Sequence, residues 1–276
     1  IARFPRALAG ALVGGALAAA GVVLQALLRN PLATPFTLGV SAGASLGAMV
    51  VIIFGVPLTV LGVPAVPLAS LVGALAAVVI VYSLARLRRQ GLSTNVLLLA
   101  GVTLNSLFSA IIMFIQYLAD FSQNFQAIRW LMGNLDVSGY KPIVWALPLL
   151  AVAAAGFAWL PRSLNLLTLG SEHAAARGVD VLRTQRLAFF SASLATGAAV
   201  SLGGPIGFIG IIVPHIVRLT VGADHRVVLP ASAFLGAVFL VICDVGARTL
   251  MAPVELPVGV ITAMLGGPFF LWLLIR

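Results

Sequence analysis

Few residues of this 276-residue chain can do chemistry, and their spacing limits what chemistry that is. The three histidines, His173, His215 and His225, are scattered and make no metal-ligand spacing. The one cysteine, Cys243, sits in an apolar run, so neither an intrachain disulfide nor a zinc pattern exists. A P-loop needs a lysine directly after its glycines. The single lysine, Lys141, stands in "SGYKP", so this chain is not itself an ATPase. No paired carboxylates, metal cluster or activated nucleophile is evident, which leaves a membrane-enzyme reading with little behind it. A proton-coupled carrier needs a carboxylate deep in a membrane segment. Asp244 alone qualifies. Arg248 follows one helical turn later, and a local ion pair is the expectation there.

The elements that must hold these residues follow from composition. The chain is 61% hydrophobic and 8% charged, whereas a soluble domain carries roughly a quarter charged residues. Ala7–Leu28 and Pro142–Leu160 are continuous apolar runs without period-2 alternation. Each is near the ~20 residues that carry a helix across a bilayer, and barrel strands would be shorter and would alternate. The expected fold is therefore an all-α polytopic membrane protein. It forms one domain over residues 1–276, with nine segments near 7–28, 42–54, 65–85, 95–119, 142–160, 187–203, 207–220, 227–246 and 257–275. The net charge of +9 fits the positive-inside rule, not nucleic-acid binding. Threading the segments with Ile1 outside puts eleven of the sixteen basic residues inside. Arg3, Arg6, Arg129, Lys141 and Arg248 lie outside. "FQAIRWLMG" is amphipathic and is expected to lie at the outer interface with Trp130 as its anchor. The chain opens on Ile1 with no signal-peptide pattern, as a truncated start would.

One segment is thoroughly broken: "SLGGPIGFIGIIVPHIVRL", residues 201–219. Proline removes a donor and glycine loosens the backbone. Irregular backbone survives in hydrocarbon only where protein or a water-filled cavity covers it. Gly203-Gly204-Pro205 should thus end one helix and start a short one near a translocation path. Small residues also permit close helix packing, and that reading applies to "GALVGGALAAAG" at 10–21. The break after 187–203 echoes the break in "RNPLATPFTLGVSAGA" after the first segment, with opposite direction, as an inverted repeat would.

Long stretches of the chain resemble the FecCD/BtuC-like permeases of bacterial ABC importers. They are "RFPRALAGALVGGALAAAGVVLQALLRNPLATPFTLGVSAGASLGA", "LSTNVLLLAGVTLN", "GGPIGFIGIIVPHIVRL", "ADHRVVLPASAFLGA" and "ELPVGVITAMLGGPFFLWLL". The resemblance covers nearly the whole sequence in order. It implies the type II importer fold, with ten helices in the family, and this chain begins just before the second. It also implies a homodimer in the inner membrane, two cytoplasmic ATPase subunits that carry ATP and magnesium, and a periplasmic substrate-binding protein. No cofactor in this chain and no nucleic-acid partner is implied; membrane lipid surrounds it. Cargo in the family is an iron–siderophore complex, haem or cobalamin. An iron complex is expected here, with a corrinoid as the alternative and an ion-coupled secondary carrier as the reading from another class.

The resemblance also assigns roles. Arg3, Arg6 and Arg248 match arginines that pair with carboxylates on the binding protein, and exposed guanidinium groups suit that. Snorkelling to lipid headgroups is the competing role. The loop 161–186, "LTLGSEHAAARGVD" at its centre, matches the coupling helices. Its contact candidates are Gly170, Glu172, His173, Ala174 and Arg177, with Ser171 as cap and Gly178 as stop. Asn30 and Leu32 match the inner gate, and Thr94 and Asn95 are a second gate candidate. Helix capping by Asn30 and Thr94 is compatible with that role. Gln25, Ser41, Ser45, Asn105 and Ser106 are polar pathway candidates. His215 lies in a motif shared across cargoes, which predicts a hydrogen-bonded structural histidine, not a haem ligand.

Overall fold

The computed structural model describes residues 3–55, 59–60, 63–87, 94–137 and 139–275. Helices α1 (Arg3–Leu28), α2 (Val40–Phe54), α3 (Ala65–Leu87), α4 (Thr94–Leu118), α6 (Lys141–Trp159), α9 (Val181–Gly203), α10 (Ile209–Val221), α11 (His225–Thr249) and α12 (Val258–Ile275) correspond one for one to the nine expected segments. Three short helices fill the longer loops: α5 (Phe121–Leu131), α7 (Pro161–Leu167) and α8 (Ser171–Ala176). Two two-residue strands, β1 (Thr59–Val60) and β2 (Val63–Pro64), pair antiparallel between α2 and α3. Among the described residues, six helices are long and apolar enough to span a membrane, while α2, α10 and α12 are apolar but shorter.

Helix α1 is the centre of the bundle and packs against α9, α10 and α11. Residue size explains its position. Without a hydrophobic drive between helices in lipid, close backbone approach decides association. A Cβ on Gly14 would strike the carbonyl of Gly236 in α11, and one on Gly21 would strike Gly210 in α10. The small-residue stripe at 10–21 is a packing seam, as expected. Helices α2 and α3 meet through a similar seam at Gly43 and Gly73.

The breaks are real. Between α1 and α2 a 3₁₀ turn (Pro35–Leu38) is fixed by a reciprocal Thr34–Thr37 capping box, and Gly39 (φ 76°) opens α2. Between α9 and α10 the chain turns at Gly204 (φ 68°) and Phe208 (φ 68°). Protein covers that irregular backbone, as hydrocarbon requires. The Asn134 N–H donates to the Gly203 carbonyl at 2.8 Å. The 132–134 turn and Gly259 of α12 lie so close that a Cβ on Gly259 would strike the carbonyl of Met132. Both halves of the chain therefore run long helix, break, short helix, long helix.

Helix α5 departs from expectation. Its capping box on Asp120 and Gln123 starts it cleanly. Trp130, however, is half-buried against the core, and Phe121 and Phe125 form the exposed face instead. Position in the 3.6-residue period, not side-chain type, picked the outward residues.

Candidate functional site

Pro205 of the break between α9 and α10 borders a cavity of about 320 Å³ whose wall is mostly apolar with a few polar side chains. Ser41 and Ser45, one turn apart on α2, face Asn105, Ser109 and Gln116 of α4 there, with Pro205 of the break and Phe36 of the 3₁₀ turn closing it. The lining offers hydroxyls and amides and no charge, so it can hydrogen-bond a passing solute without holding it tightly. Three of the five pathway candidates thus meet in one place. The other two do not join them. The Gln25 side-chain amide donates to the Gly210 carbonyl at 2.9 Å, tying α1 to α10, and the Ser106 hydroxyl donates back to the Val102 carbonyl. Ser109 and Gln116 were missed. Their spacing from Asn105, one and three turns along the same helix face, was the available signal.

The ends of the bundle carry the charged groups. At the end expected to face outside, Arg6 of α1 donates from Nε to Asp244 of α11 at 2.9 Å and from Nη1 to Glu255 at 2.7 Å. Arg248 completes the cluster through Nε to the second Asp244 oxygen at 3.1 Å. The expected Asp244–Arg248 pair is therefore present, within a larger network. Asp244 is 2% exposed and is held by two guanidinium groups, so it is not a free proton carrier. Arg6 corrects the expectation of an exposed docking arginine: it is buried and occupied by its own chain. A buried charge is retained only when paired this way. Arg3 opens α1, and its side chain lies outside the described residues. Beside the cluster lies an open cavity of about 1250 Å³ lined by Arg6, Arg129, Arg248, Asp136 and Glu255. The hydrogen bond from Arg6 holds the Glu255 carboxyl below the usual glutamate range, against a smaller opposing effect of burial.

At the end expected to face inside, α7 and α8 form a compact corner. Gly170 adopts φ 122° and occupies the cap position of α8. Ser171 is consequently the first helical residue and not the cap, a correction of one position. Gly178 (φ 82°) stops the turn as expected. Glu172, His173 and Arg177 are exposed on the corner, and Gly170 is half-buried. Ala174 is fully buried and anchors α8 to the core, so it is not an outward contact. Asn165 of α7 joins this corner to α11. Its Nδ2 donates to Asp224 Oδ1 at 2.6 Å, while its Oδ1 accepts the His225 backbone N–H at 3.0 Å and lies 2.6 Å from His225 Nδ1. Hydrogen bonds from the Arg226 backbone and from Asn165 hold the Asp224 carboxyl below its ordinary range.

The gate candidates stand at the helix ends expected to face inside. Asn30 Oδ1 accepts the Leu32 N–H at 2.9 Å, a local turn that leaves the Leu32 side chain exposed. Thr94 and Asn95 open α4, half-buried and exposed respectively. His215 packs edge-on against Phe269 of α12, with ring centroids 5.9 Å apart. The structural role of His215 thus rests on ring packing, where a hydrogen bond was expected. Among the described residues, no group of three or more His, Cys, Asp or Glu gathers as a metal site would need.

Comparison with known proteins places this architecture. A model of the FecCD transport family matches residues 1–276. The chain is 42% identical to an uncharacterized ABC transporter permease protein, YvrB, of Bacillus subtilis, over 99% of this chain and 77% of that one. It is 41% identical to the hemin transport system permease protein HmuU of Yersinia pestis, over 99% and 82%. It is 45% identical to the cobalamin import system permease protein BtuC of Halobacterium salinarum, over 99% and 72%. Among solved structures, one described as an inward-facing conformation of a metal-chelate type ABC transporter superposes with a TM-score of 0.88 at 30% identity, covering 98% of this chain and 85% of that one. With its central glycine seam and broken α9–α10 pair, the chain belongs to the FecCD transport family and is a multi-pass inner-membrane permease of an ABC importer.

Proposed function

We propose that this permease moves an iron complex, haem or a ferric siderophore, by alternating access at the interface of two copies of itself. The observation that carries the reading is the uncharged, mostly apolar cavity beside the α9–α10 break, in which Ser41, Ser45 and Asn105 meet. A wall of this kind lets a bulky cargo pass without a tight well that would slow release. The likeness to a hemin permease and to a metal-chelate transporter supports the iron complex. The likeness to a cobalamin permease supports a corrinoid as the second reading.

Energy enters from ATP and magnesium on two separate cytoplasmic ATPase subunits, through the corner that exposes Glu172, His173 and Arg177. A periplasmic binding protein delivers cargo to the outer cavity. Arg248, partly exposed there, remains its docking candidate, whereas Arg6 must first release a carboxylate. The inner exit lies at Asn30–Leu32 and Thr94–Asn95.

The test is cargo-stimulated ATP hydrolysis by the complete complex in liposomes, comparing haem, ferric siderophores and cobalamin. Stimulation by an iron complex alone supports the proposal. Stimulation by cobalamin alone replaces it with the corrinoid reading, and uptake that persists without ATP points to a secondary carrier.

A further inference from the structure

We infer that Asn165 is the positioning residue that transmits movement of the α7–α8 corner to α11, and through α11 to the outer ion-pair cluster. The inference rests on the proposal that ATP-driven movement enters at that corner.

The geometry is specific. Asn165 uses both ends of its amide, donating to Asp224 and accepting from the His225 backbone. His225 Nδ1 lies within hydrogen-bond distance of the same oxygen, and that pairing requires the ring to carry its proton there. Asp224 is the cap of α11, accepting the Arg226 N–H at 2.9 Å. Asn165 therefore grips the cap of the helix and its first residue together, so a displacement of α7 acts on the first turn of α11, from which it must pass Pro230 to reach the rest of the helix. The far end is gripped as well. α11 is one 25-residue helix, about 37 Å at 1.5 Å per residue. Its last turns carry Asp244, which holds Arg6 of α1, and Arg248, which pairs with the same carboxylate. One continuous element thus has a polar clasp to the coupling corner at its inner end and an ion-pair clasp to the central helix at its outer end. Hydrogen-bonded networks joined by a rigid element carry coupling between distant sites.

The experiment uses the full complex in liposomes and reads cargo moved per ATP hydrolysed. Asn165→Ala is expected to leave ATP hydrolysis running while cargo per ATP falls about five-fold or more, within the range that changes at coupling contacts reach. Asn165→Asp sets two carboxylates against each other and should uncouple at least as much. The pair Asn165→Asp with Asp224→Asn exchanges donor and acceptor, and it should regain most of the wild-type ratio. A second readout uses spin labels at Ala175→Cys and Arg226→Cys, both exposed positions. The only native cysteine, Cys243, is buried and escapes labelling. In the otherwise wild-type chain the label separation should stay constant through the ATP cycle, and with Asn165→Ala it should change.

The inference is overturned if Asn165→Ala keeps the wild-type ratio. It is equally overturned if uptake and hydrolysis fall only in step with the amount of assembled complex, or if the labels separate in the wild-type background. A wild-type complex with no ATP-linked uptake would overturn the proposed function itself and the inference with it. The two failures are therefore distinguishable by the wild-type control.

Discussion

Helices α1 and α4 have nearly equal hydropathy, 2.2 and 2.1, yet 67% of the first is buried within the chain and 22% of the second. Hydropathy finds both and cannot tell them apart. Size does. α1 places Gly14 and Gly21 where only a hydrogen fits against α11 and α10, whereas α4 presents Leu99, Met113, Phe114 and Tyr117 outward. A second difference follows from the first. α1 carries a charge, Arg6, because its neighbours supply Asp244 and Glu255. The span Thr94–Leu118 of α4 carries none. In a bilayer, a helix surrounded by protein can keep a charged group that a helix without such partners cannot.

Three substitutions would break or sharpen that contrast. The largest effect is expected from Arg6→Ala, which strips a buried carboxylate of one of its two cations. Loss of one partner of a buried pair costs about 3–5 kcal/mol, read as a fall in thermal midpoint in detergent. Arg6→Leu combined with Asp244→Leu should recover much of it, and no recovery would contradict a purely electrostatic cost. Next comes Gly14→Val, which forces α1 from α11 and should cost about 1–3 kcal/mol or more. Its control, Leu99→Ala on the outward face of α4, should stay within about 0.5 kcal/mol; equal losses at the two sites would erase the contrast. The smallest effect is the pH dependence of Glu255. Its native carboxyl titrates below the ordinary value of 4.5. Its contribution is therefore complete above that value and disappears as pH falls through the lower native one. Because the side chain is 56% exposed, screening keeps it below about 1 kcal/mol. Glu255→Gln should flatten the acid limb of the stability profile relative to wild type, and an unchanged limb would count against the pair.

How much of this was legible in the sequence depended on distance along the chain. The nine segments, both breaks and the Asp244–Arg248 pair rest on local patterns and were readable. The Arg6–Glu255 contact spans 249 positions and the Asn165–Asp224 contact 59. No periodicity encodes such meetings, so Arg6 read as exposed and Asn165 passed unnoticed. Ala174 was misjudged for the opposite reason: a six-residue helix is too short for its period to show which side faces in.

The turn at Phe208 carries one more consequence. A bulky residue with φ near +68° sits in a conformation that costs of order 1–3 kcal/mol, so the link between α9 and α10 is a loaded spring. Its catch is on another helix: the Phe208 ring lies where a side chain on Gly266 of α12 would have to go. Any residue larger than glycine at 266 would displace that catch and press on the strained turn, and with it on the Phe208 carbonyl that accepts the first N–H groups of α10.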